Sequence, residues 1–443
     1  MAFDTPARIA ILGAGPIGLE AALYARYLGY EVDIYERGYV AETIRRLGHA
    51  RLFAPLGELT STLGVAALVA QEPNWQLPAQ NDLPTGNEWV EHYLLPLAQS
   101  DLLAPNLHEQ HQVLAVGHEE MCRSDLPGSD VRGDYDFQLL VRDSAGHERW
   151  ASADIVIDAT GVCGKPNHMG PGGMPAAGEL PARLRIEYEL ADVLGRDRPI
   201  YAGKRILLVG NHDAAAVTLL ALEQLALAEP STTCVWITPL PFTPDEIDGE
   251  ESSAEVEVKA PTVIPNSPPM ARLEQDLFPA RDAIVQAANR LAWQSPEWLT
   301  WLQTPIRSIQ WDSQLGRFRV HVGNEGAAEI EFERVIACVG HRPDHSLSQE
   351  LPVEFDAVWE APRKLGAALS SPFDSRRGPA AVDPELLLTS ELNFYVLGAK
   401  SYGRHPGFHY HAGLEQIRGL FSIIGERANL NLYATAPRPE REQ

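Results

Sequence analysis

Cysteine and positive charge are both scarce in this 443-residue chain. Its cysteines, Cys122, Cys163, Cys234 and Cys338, lie far apart, and no two have the spacing of a C-x-x-C redox pair or of a metal site. This excludes a dithiol redox motif, and we expect four buried thiols and no bound metal. The formal charge of -24, from 36 basic and 60 acidic residues, argues against a nucleic acid partner, which requires a basic face.

Long apolar runs are also missing. The most apolar segment, Ala214 to Ala228, is interrupted by Glu223 and Gln224 and is shorter than the roughly 20 residues that span a bilayer. The first residues, MAFDTPARIAIL, contain no basic region followed by a long apolar stretch and a small-residue cleavage site. We therefore expect no membrane span, no secretory signal and a cytoplasmic protein.

Apolar residues make up 45% of the chain and charged residues 22%, which is the profile of a globular protein. Two segments have the pattern of a βαβ unit, in which a glycine turn links a buried strand to a helix. The first unit has a strand from Arg8 to Leu12, a helix from about Pro16 to Leu28 and a strand from Glu31 to Glu36; the second has a strand from Arg205 to Val209, a helix from about Ala214 to Leu227 and a strand from Thr232 to Thr238.

This repetition predicts an α/β chain in which a second Rossmann-like domain is inserted into a first. The predicted boundaries are 1–165 and 326–443 for the two parts of the first domain and 166–325 for the insert, with an acidic, proline-rich loop at 239–270. A second loop is expected at 370–384. The first domain's sheet would be completed by further strand-like stretches, namely Phe137 to Arg142, Ala153 to Ala159, Phe318 to Val322, Glu329 to Val339 and Phe394 to Leu397.

The first glycine turn, ILGAGPIGLE, has the G-x-G-x-x-G pattern in Gly13, Gly15 and Gly18. Gly13 permits the tight turn, Gly15 lets a pyrophosphate approach the backbone, and Gly18 lets helix and strand pack closely, while the helix N-terminus attracts the phosphates. Glu36 follows the second strand, where an acidic residue binds a ribose diol. These features together predict dinucleotide binding.

Later motifs indicate which dinucleotide is bound. ADIVIDATG (153–161) and RVIACVGHRPD (334–344) are apolar strands, and NFYVLGAKSYGR, from Asn393, runs through a glycine turn towards a final helix. With GHARLFAP at 48–55 and SYGR at 401–404, the chain resembles the two-dinucleotide-domain flavoproteins, the group of thioredoxin reductase-like enzymes and flavin-containing monooxygenases. It is most similar to an uncharacterised bacterial branch of FAD-dependent oxidoreductases, from about residue 7 to residue 424.

The resemblance implies FAD as cofactor. Its ADP half would lie on the first turn and the end of the second strand, Gly161 would mark the crossing between domains, and Gly398 would lie near the linking phosphates or the ribityl chain. The helix starting near His411 would direct its N-terminus at the pyrimidine end of the flavin, where its dipole stabilises negative charge. The implied cofactor residues are Gly13, Gly15, Pro16, Ile17, Gly18, Glu36, Arg37, Thr160, Gly161, Gly398 and His411.

The corresponding turn of the insert, VGNHDAAA, departs from the pattern. When Gly210 is aligned with the first glycine, His212 takes the place of the second, where a side chain should obstruct a pyrophosphate. Asp213 would repel a phosphate, and neither an acid nor an arginine follows Thr238. NAD(P)H binding is therefore left open: either the insert has lost the site, or a shifted turn still binds the nucleotide. For His212 itself, the simpler interpretation is a role as a helix cap or a packing residue.

Four residues are candidates for chemistry near the flavin. His49 and Arg51 follow the first βαβ unit, although Arg51 could equally serve in a structural ion pair, and Tyr402 and Arg404 lie in a turn dense in titratable groups. A helix-like run from Ala283 to Trp301 carries three tryptophans that either cover a pocket or pack in a core.

The sequence favours an FAD-dependent oxidoreductase that acts on a small organic substrate. Among the reaction types, a monooxygenase is the first choice. The region from Val162 to Glu187 lacks the F-x-G-x-x-x-H-x-x-x-[FW] signature of flavin-containing and Baeyer-Villiger monooxygenases, so this choice depends on architecture. A nicotinamide-independent oxidase or dehydrogenase and a non-catalytic flavoprotein are the alternatives. The sequence does not determine the oligomeric state, and a homodimer is the assembly that we consider.

Overall fold

The computed structural model divides the chain into two compact units. Unit 1 comprises the described residues within 1–165 and 341–443, and unit 2 those within 166–340. The predicted loops at 239–270 and 370–384 lie mostly outside the residues that the structure describes. These are residues 7–78, 80–240, 268–273, 276–323, 328–370 and 383–436.

The described residues form fifteen strands. They are β1 (Arg8–Leu12), β2 (Glu31–Tyr35), β3 (Leu107–His108), β4 (Gln112–His118), β5 (Phe137–Arg142), β6 (Glu148–Ala153), β7 (Ile155–Asp158), β8 (Arg205–Val209), β9 (Thr233–Thr238), β10 (Leu299–Gln303), β11 (Ile306–Asp312), β12 (Arg317–Val322), β13 (Glu329–Phe332), β14 (Arg334–Ala337) and β15 (Phe394–Val396).

Twelve α-helices accompany these strands in the described part of the chain, together with short 3₁₀ turns. They are α1 (Pro16–Tyr27), α2 (Glu42–Arg46), α3 (Thr62–Gln71), α4 (Gly86–Trp89), α5 (Leu95–Ala98), α6 (Glu179–Ala182), α7 (Arg198–Tyr201), α8 (Asp213–Ala228), α9 (Pro279–Gln294), α10 (Arg363–Leu369), α11 (Tyr410–Ile424) and α12 (Leu432–Thr435). Among these helices, none is long and apolar enough to cross a membrane.

Unit 1 contains a five-stranded parallel sheet in the order β15-β7-β1-β2-β3. Its first βαβ unit has the predicted elements. Helix α1 begins at Pro16, the position where a missing N–H costs nothing, and Gly29 follows its C-terminus at φ +90°. Every residue from Ile17 to Ala25 is buried, so α1 is enclosed by the core.

The stretch from Phe137 to Arg142 is the central strand of a separate antiparallel sheet, β4-β5-β6, in unit 1. Its prediction as part of the main sheet was wrong, because alternating burial along β5 fits a hairpin with one exposed face. By contrast, β7 and β15 do lie in the main sheet, as predicted.

Unit 2 contains a parallel sheet in the order β10-β9-β8-β14 and an antiparallel sheet, β11-β12-β13. The stretches from Phe318 to Val322 and from Glu329 to Val339 were expected in the first domain and instead belong here. Arg334 pairs with Ile206 across β14 and β8, so unit 2 extends to Gly340, past the predicted boundary at 325. An apolar strand does not reveal from its sequence which of two parallel sheets it joins.

The main core of unit 2 lies among β8, β9, α8 and α9. Helix α9 ends at Gln294, and Trp301 lies in β10, so the predicted helical run to residue 301 was wrong in its second half. The Trp301 ring lies 6.4 Å from that of Trp236 and 5.8 Å from that of Trp293. Trp298 and Trp301 therefore pack against the core, as in the simpler of the two interpretations, whereas Trp293 is 47% exposed.

Candidate functional site

The glycine turn of unit 1 has the geometry of a phosphate cradle. Gly13 has φ +99°, and a Cβ there would lie 2.9 Å from the carbonyl oxygen of Ala159. A Cβ on Gly18 would lie 1.9 Å from the carbonyl oxygen of Gly13. A Cβ on Gly15, in contrast, would have nothing within 4 Å. Two glycines are thus required by packing, while the third leaves the N-terminus of α1 bare and open.

Glu36 lies directly after β2 and is 9% exposed. Its carboxylate accepts hydrogen bonds from the backbone N–H of Ala14 at 2.9 Å and of Gly38 at 2.8 Å. These bonds hold the acid beside the glycine turn, where the ribose of a dinucleotide would lie. The first turn of α1 contains no acidic residue that would repel a phosphate. Arg37, the next residue, is exposed.

The end of β7 lies against the glycine turn. Thr160 donates from both its backbone N–H and its hydroxyl to Asp158, at 3.1 and 2.6 Å. Gly161 has φ +70° and open space where a Cβ would be. The backbone of residues 159–161 is therefore fixed at the same edge of the sheet as Gly15, as the carboxyl ends of parallel strands require.

Ile17 links this edge of the sheet to helix α11. Its side chain would contact a Cβ on Gly398 at 3.4 Å and one on Gly413 at 2.3 Å. Gly398 donates its N–H to the buried Gln416 of α11 at 2.9 Å, and the Gln416 amide donates to Ser401 at 2.7 Å. These contacts hold the turn after β15 and the start of α11 next to the start of α1.

A buried ion pair that was not predicted joins the ends of two neighbouring strands at this edge. The Lys400 ammonium donates to Asp158 at 2.6 Å and to the Thr160 hydroxyl at 3.0 Å. The two charged side chains are 1% and 2% exposed. A charge buried to this degree requires a partner, so Lys400 and Asp158 fix the Thr160 turn and the 398–402 turn relative to each other.

A second buried polar cluster lies on α1. Glu20 is fully buried and accepts hydrogen bonds from the hydroxyls of Tyr93 and Tyr410, the latter at 2.7 Å. Burial raises the pKa of Glu20, although the hydrogen bonds from Tyr93, Tyr410 and Ser61 partly oppose this. This buried carboxyl thus lies between α1 and the first residue of α11. A glutamate within an apolar helix was the only sequence signal.

The four predicted catalytic residues lie in two segments of unit 1. His49 and Arg51 are both exposed, and the Arg51 guanidinium donates to the carbonyl oxygen of Leu83 at 2.6 Å. Backbone bonds from Leu52 to Pro84 and from Gly86 to Ala50 join this segment to residues 83–87. Arg51 therefore has a structural hydrogen bond in place of the ion pair that was its alternative role.

Tyr402 and Arg404 lie in the segment after β15. Tyr402 is 1% exposed and packs in an apolar cluster with Ala361 and Leu365. Its burial raises the pKa of the phenol to about 12, so it stays protonated at neutral pH. Arg404 is half-buried and lies 3.7 Å from the carboxylate of Glu360.

Helix α11 begins one residue before His411. His409 is its N-cap and accepts a hydrogen bond from the N–H of Ala412 at 3.3 Å. His411 itself is exposed in the first turn. The helix thus starts within one residue of the predicted position in the sequence, and its cap is one of the histidines of the preceding turn.

The expectation that all four thiols are buried is wrong for two of the cysteines. Cys234 and Cys338 are buried, but Cys163 is only half-buried and Cys122 is exposed. Burial raises the pKa of Cys338 to about 12, so this thiol is not ionised at neutral pH. Within the described ranges, no group of three or more histidine, cysteine, aspartate or glutamate residues could hold a metal ion.

Comparisons with known proteins agree with this architecture. No family model and no curated protein matches the chain. Bacillithiol disulfide reductase Bdr (YpdA) from Bacillus cereus has a similar structure, with a TM-score of 0.63 and 14% identity over 95% of this chain and 99% of that chain. The FAD-bound cadaverine monooxygenase DfoA from Erwinia amylovora gives 0.58 and 15% over 99% and 100%.

Thioredoxin reductase from T. acidophilum is similar as well, with a TM-score of 0.51 and 16% identity over 94% of this chain and 97% of that chain. This chain has the fold of the two-dinucleotide-domain flavoproteins. These similarities confirm the predicted fold class, and the three neighbours are by name a disulfide reductase, an FAD-bound monooxygenase and a thioredoxin reductase.

Proposed function

We propose that this chain is an FAD-dependent oxidoreductase and that unit 1 holds the cofactor. The observation that carries the proposal is the turn at 13–18, where packing requires Gly13 and Gly18 while the position of Gly15 is open. Glu36 lies at the adjacent strand end. An open backbone before a helix N-terminus, with an acid at the ribose position, fits an adenosine diphosphate group.

The residues of unit 1 would share the binding as follows. Because Pro16 has no N–H, the first-turn donors for the pyrophosphate are Ile17 and Gly18, and Glu36 accepts from the ribose hydroxyls. Thr160, Gly161 and Gly398 line the same edge, with Arg37 at its rim. When bound, FAD supplies hydride and single-electron chemistry, while the N-terminus of α11, near His411, favours negative charge on the reduced ring.

A monooxygenase acting on a small organic substrate is our first candidate for the reaction. Its support is architectural, since DfoA is named a cadaverine monooxygenase and a second neighbour, with a TM-score of 0.54, is ornithine hydroxylase (PvdA) from Pseudomonas aeruginosa. Both names specify aliphatic amines, so amines are the first substrates to test. His49, Arg51, Tyr402 and Arg404 remain the proposed catalytic residues, and Tyr402, which is buried, would act through the residues that it packs against and not by touching the substrate.

A nicotinamide-independent oxidase or dehydrogenase is the second candidate. It is favoured by the second glycine turn, where α8 begins with His212 as N-cap and Asp213 as its first residue. If that turn binds no nicotinamide, electrons must reach the flavin from the substrate itself. A flavoprotein without catalytic activity is the third candidate, and it would show no turnover with any donor.

Disulfide reduction by a C-x-x-C pair is not proposed, although two neighbours are disulfide reductases by name. The four cysteines are far apart in sequence, and Cys234 and Cys338 are buried. The homodimer and the cytoplasmic location stay predictions.

The decisive experiment starts with the purified chain. We expect a yellow protein whose cofactor is released by denaturation and identified as FAD, and whose visible band is bleached by dithionite. Anaerobic addition of amines alone, and then of amines with NADH or NADPH, separates the candidates. Bleaching by amine alone supports the oxidase, and oxygen incorporation that requires a nicotinamide supports the monooxygenase. A purified chain that takes up no FAD on reconstitution would refute the proposal.

A further inference from the structure

The glycine turns of the two units can be matched residue by residue, because the same backbone bond closes each one. Gly13 donates its N–H to the carbonyl of Tyr35 at 2.8 Å, and Gly210 donates to that of Ile237 at 3.0 Å. The residues that follow therefore correspond in order. Gly13, Gly15, Pro16, Gly18 and Glu36 match Gly210, His212, Asp213, Ala215 and Thr238.

The backbone of the turn is preserved in unit 2. Gly210 has φ +124°, and a Cβ there would lie 2.1 Å from the carbonyl oxygen of Cys338, so glycine is required. His212 is extended, with φ -113° and ψ 177°, as Gly15 is with φ -78° and ψ -179°. Helix α8 then begins as α1 does. Any loss of dinucleotide binding must therefore come from the side chains.

The first change is at the phosphate position. In unit 1 a Cβ on Gly15 has nothing within 4 Å, and this open space is where a pyrophosphate approaches. In unit 2 the same backbone position carries the Cβ and the exposed imidazole of His212. Because a side chain at this position leaves less room for the phosphates than glycine does, the approach to the helix N-terminus should be obstructed.

The second change adds negative charge at the helix start. Asp213 takes the place of Pro16, and its carboxylate lies 3.8 Å from the guanidinium of Arg281. Arg281 is in turn bound to Asp276 at 2.7 Å. Two carboxylates thus share this one guanidinium, and an acid in the first turn already occupies the favourable end of the helix dipole. A dianionic pyrophosphate would be repelled.

The third change removes the ribose ligand. Thr238, at the end of β9, is fully buried and stands where unit 1 has Glu36. Its hydroxyl accepts the indole N–H of Trp301 at 3.0 Å, and the indole N–H of Trp236 donates to the carbonyl of Gly210 at 2.7 Å. The strand end is therefore closed by aromatic side chains. The sequence that follows this strand end, from Pro239 to Val258, contains no basic residue for a 2′-phosphate.

From these three changes we infer that unit 2 does not bind nicotinamide adenine dinucleotides. The fold implies such a site, but the residues present do not fit the phosphates, the ribose diol or a 2′-phosphate. The inference concerns unit 2 alone and does not depend on what unit 1 holds. Combined with the proposed function, it requires a reductant that reaches the flavin directly, which favours the oxidase or dehydrogenase.

The test is a calorimetric titration of the full-length chain, saturated with FAD, with NADH and with NADPH. We expect no saturable heat, and therefore dissociation constants weaker than about 1 mM. Saturable binding of either nucleotide below about 100 µM that persists in a Gly15→His variant would overturn the inference.

Gly15→His also shows which unit is responsible for any nucleotide binding seen in the titration, because this substitution blocks the phosphate cradle of unit 1. Nucleotide binding that this substitution abolishes would belong to unit 1. The inference about unit 2 would then stand, while the proposal that unit 1 is specific for FAD would fail. A spectroscopic readout adds to the titration, since neither nucleotide should bleach bound FAD under anaerobic conditions while dithionite should.

Discussion

Replacing Gly15 with histidine would copy into unit 1 the residue that occupies the matching position of unit 2. The backbone there is extended, with φ -78°, and a Cβ would meet nothing within 4 Å. The free chain should therefore fold normally, with a free energy of unfolding within about 1 kcal/mol of wild type. Binding of FAD, in contrast, should be strongly weakened.

The size of this effect follows from the bonds that the imidazole would block. Ile17 and Gly18 offer two first-turn N–H groups to the pyrophosphate, and hydrogen bonds to charged groups contribute about 1.5–3 kcal/mol each. Losing both corresponds to about 3–6 kcal/mol, or roughly 10²- to 10⁴-fold in the dissociation constant. Fluorescence titration of the apoprotein with FAD would measure it, with urea unfolding for stability.

Gly18→Ala is the matched control, because its Cβ would lie 1.9 Å from the carbonyl oxygen of Gly13. It should destabilise the chain itself, by about 1–3 kcal/mol. If Gly15→His kept its FAD affinity within about threefold of wild type, the pyrophosphate would not lie on this turn. If it unfolded, the position of Gly15 would not be open as the structure shows.

Three further predictions concern buried polar groups. Lys400→Met should lower the free energy of unfolding by about 3–5 kcal/mol because it leaves Asp158 charged and unpaired; urea unfolding should show that adding Asp158→Asn restores part of the loss. Burial raises the pKa of Glu20, so its contribution favours folding at low pH and is lost as the pH rises from the unfolded pKa towards the folded one. Relative to wild type, Glu20→Gln should therefore gain stability as the pH rises above the ordinary glutamate pKa of about 4.5, and a difference that does not change with pH would contradict a raised pKa. Trp301→Phe removes the indole donor to Thr238 and should cost about 1 kcal/mol in thermal or urea unfolding; an unchanged stability would show that the bond contributes nothing.

Features that depend only on neighbours along the chain could be predicted from the residues alone. The glycine spacing, the helix starts at Pro16 and near Asp213 and the acid after β2 are local, so strand, turn and helix follow from them without knowledge of the rest. The same holds for the departure at His212, which the pattern of the first turn made visible.

Contacts between segments far apart in sequence could not be predicted and became visible in the folded structure. It placed β14 beside β8, joined Lys400 to Asp158 across 242 residues, and brought Tyr410 onto Glu20 across 390. It also showed that the indole N–H of Trp301 donates to the hydroxyl of Thr238, the residue that matches Glu36. Such pairs depend on the order of strands in a sheet and on shared burial, and neither leaves a periodic signal in the sequence.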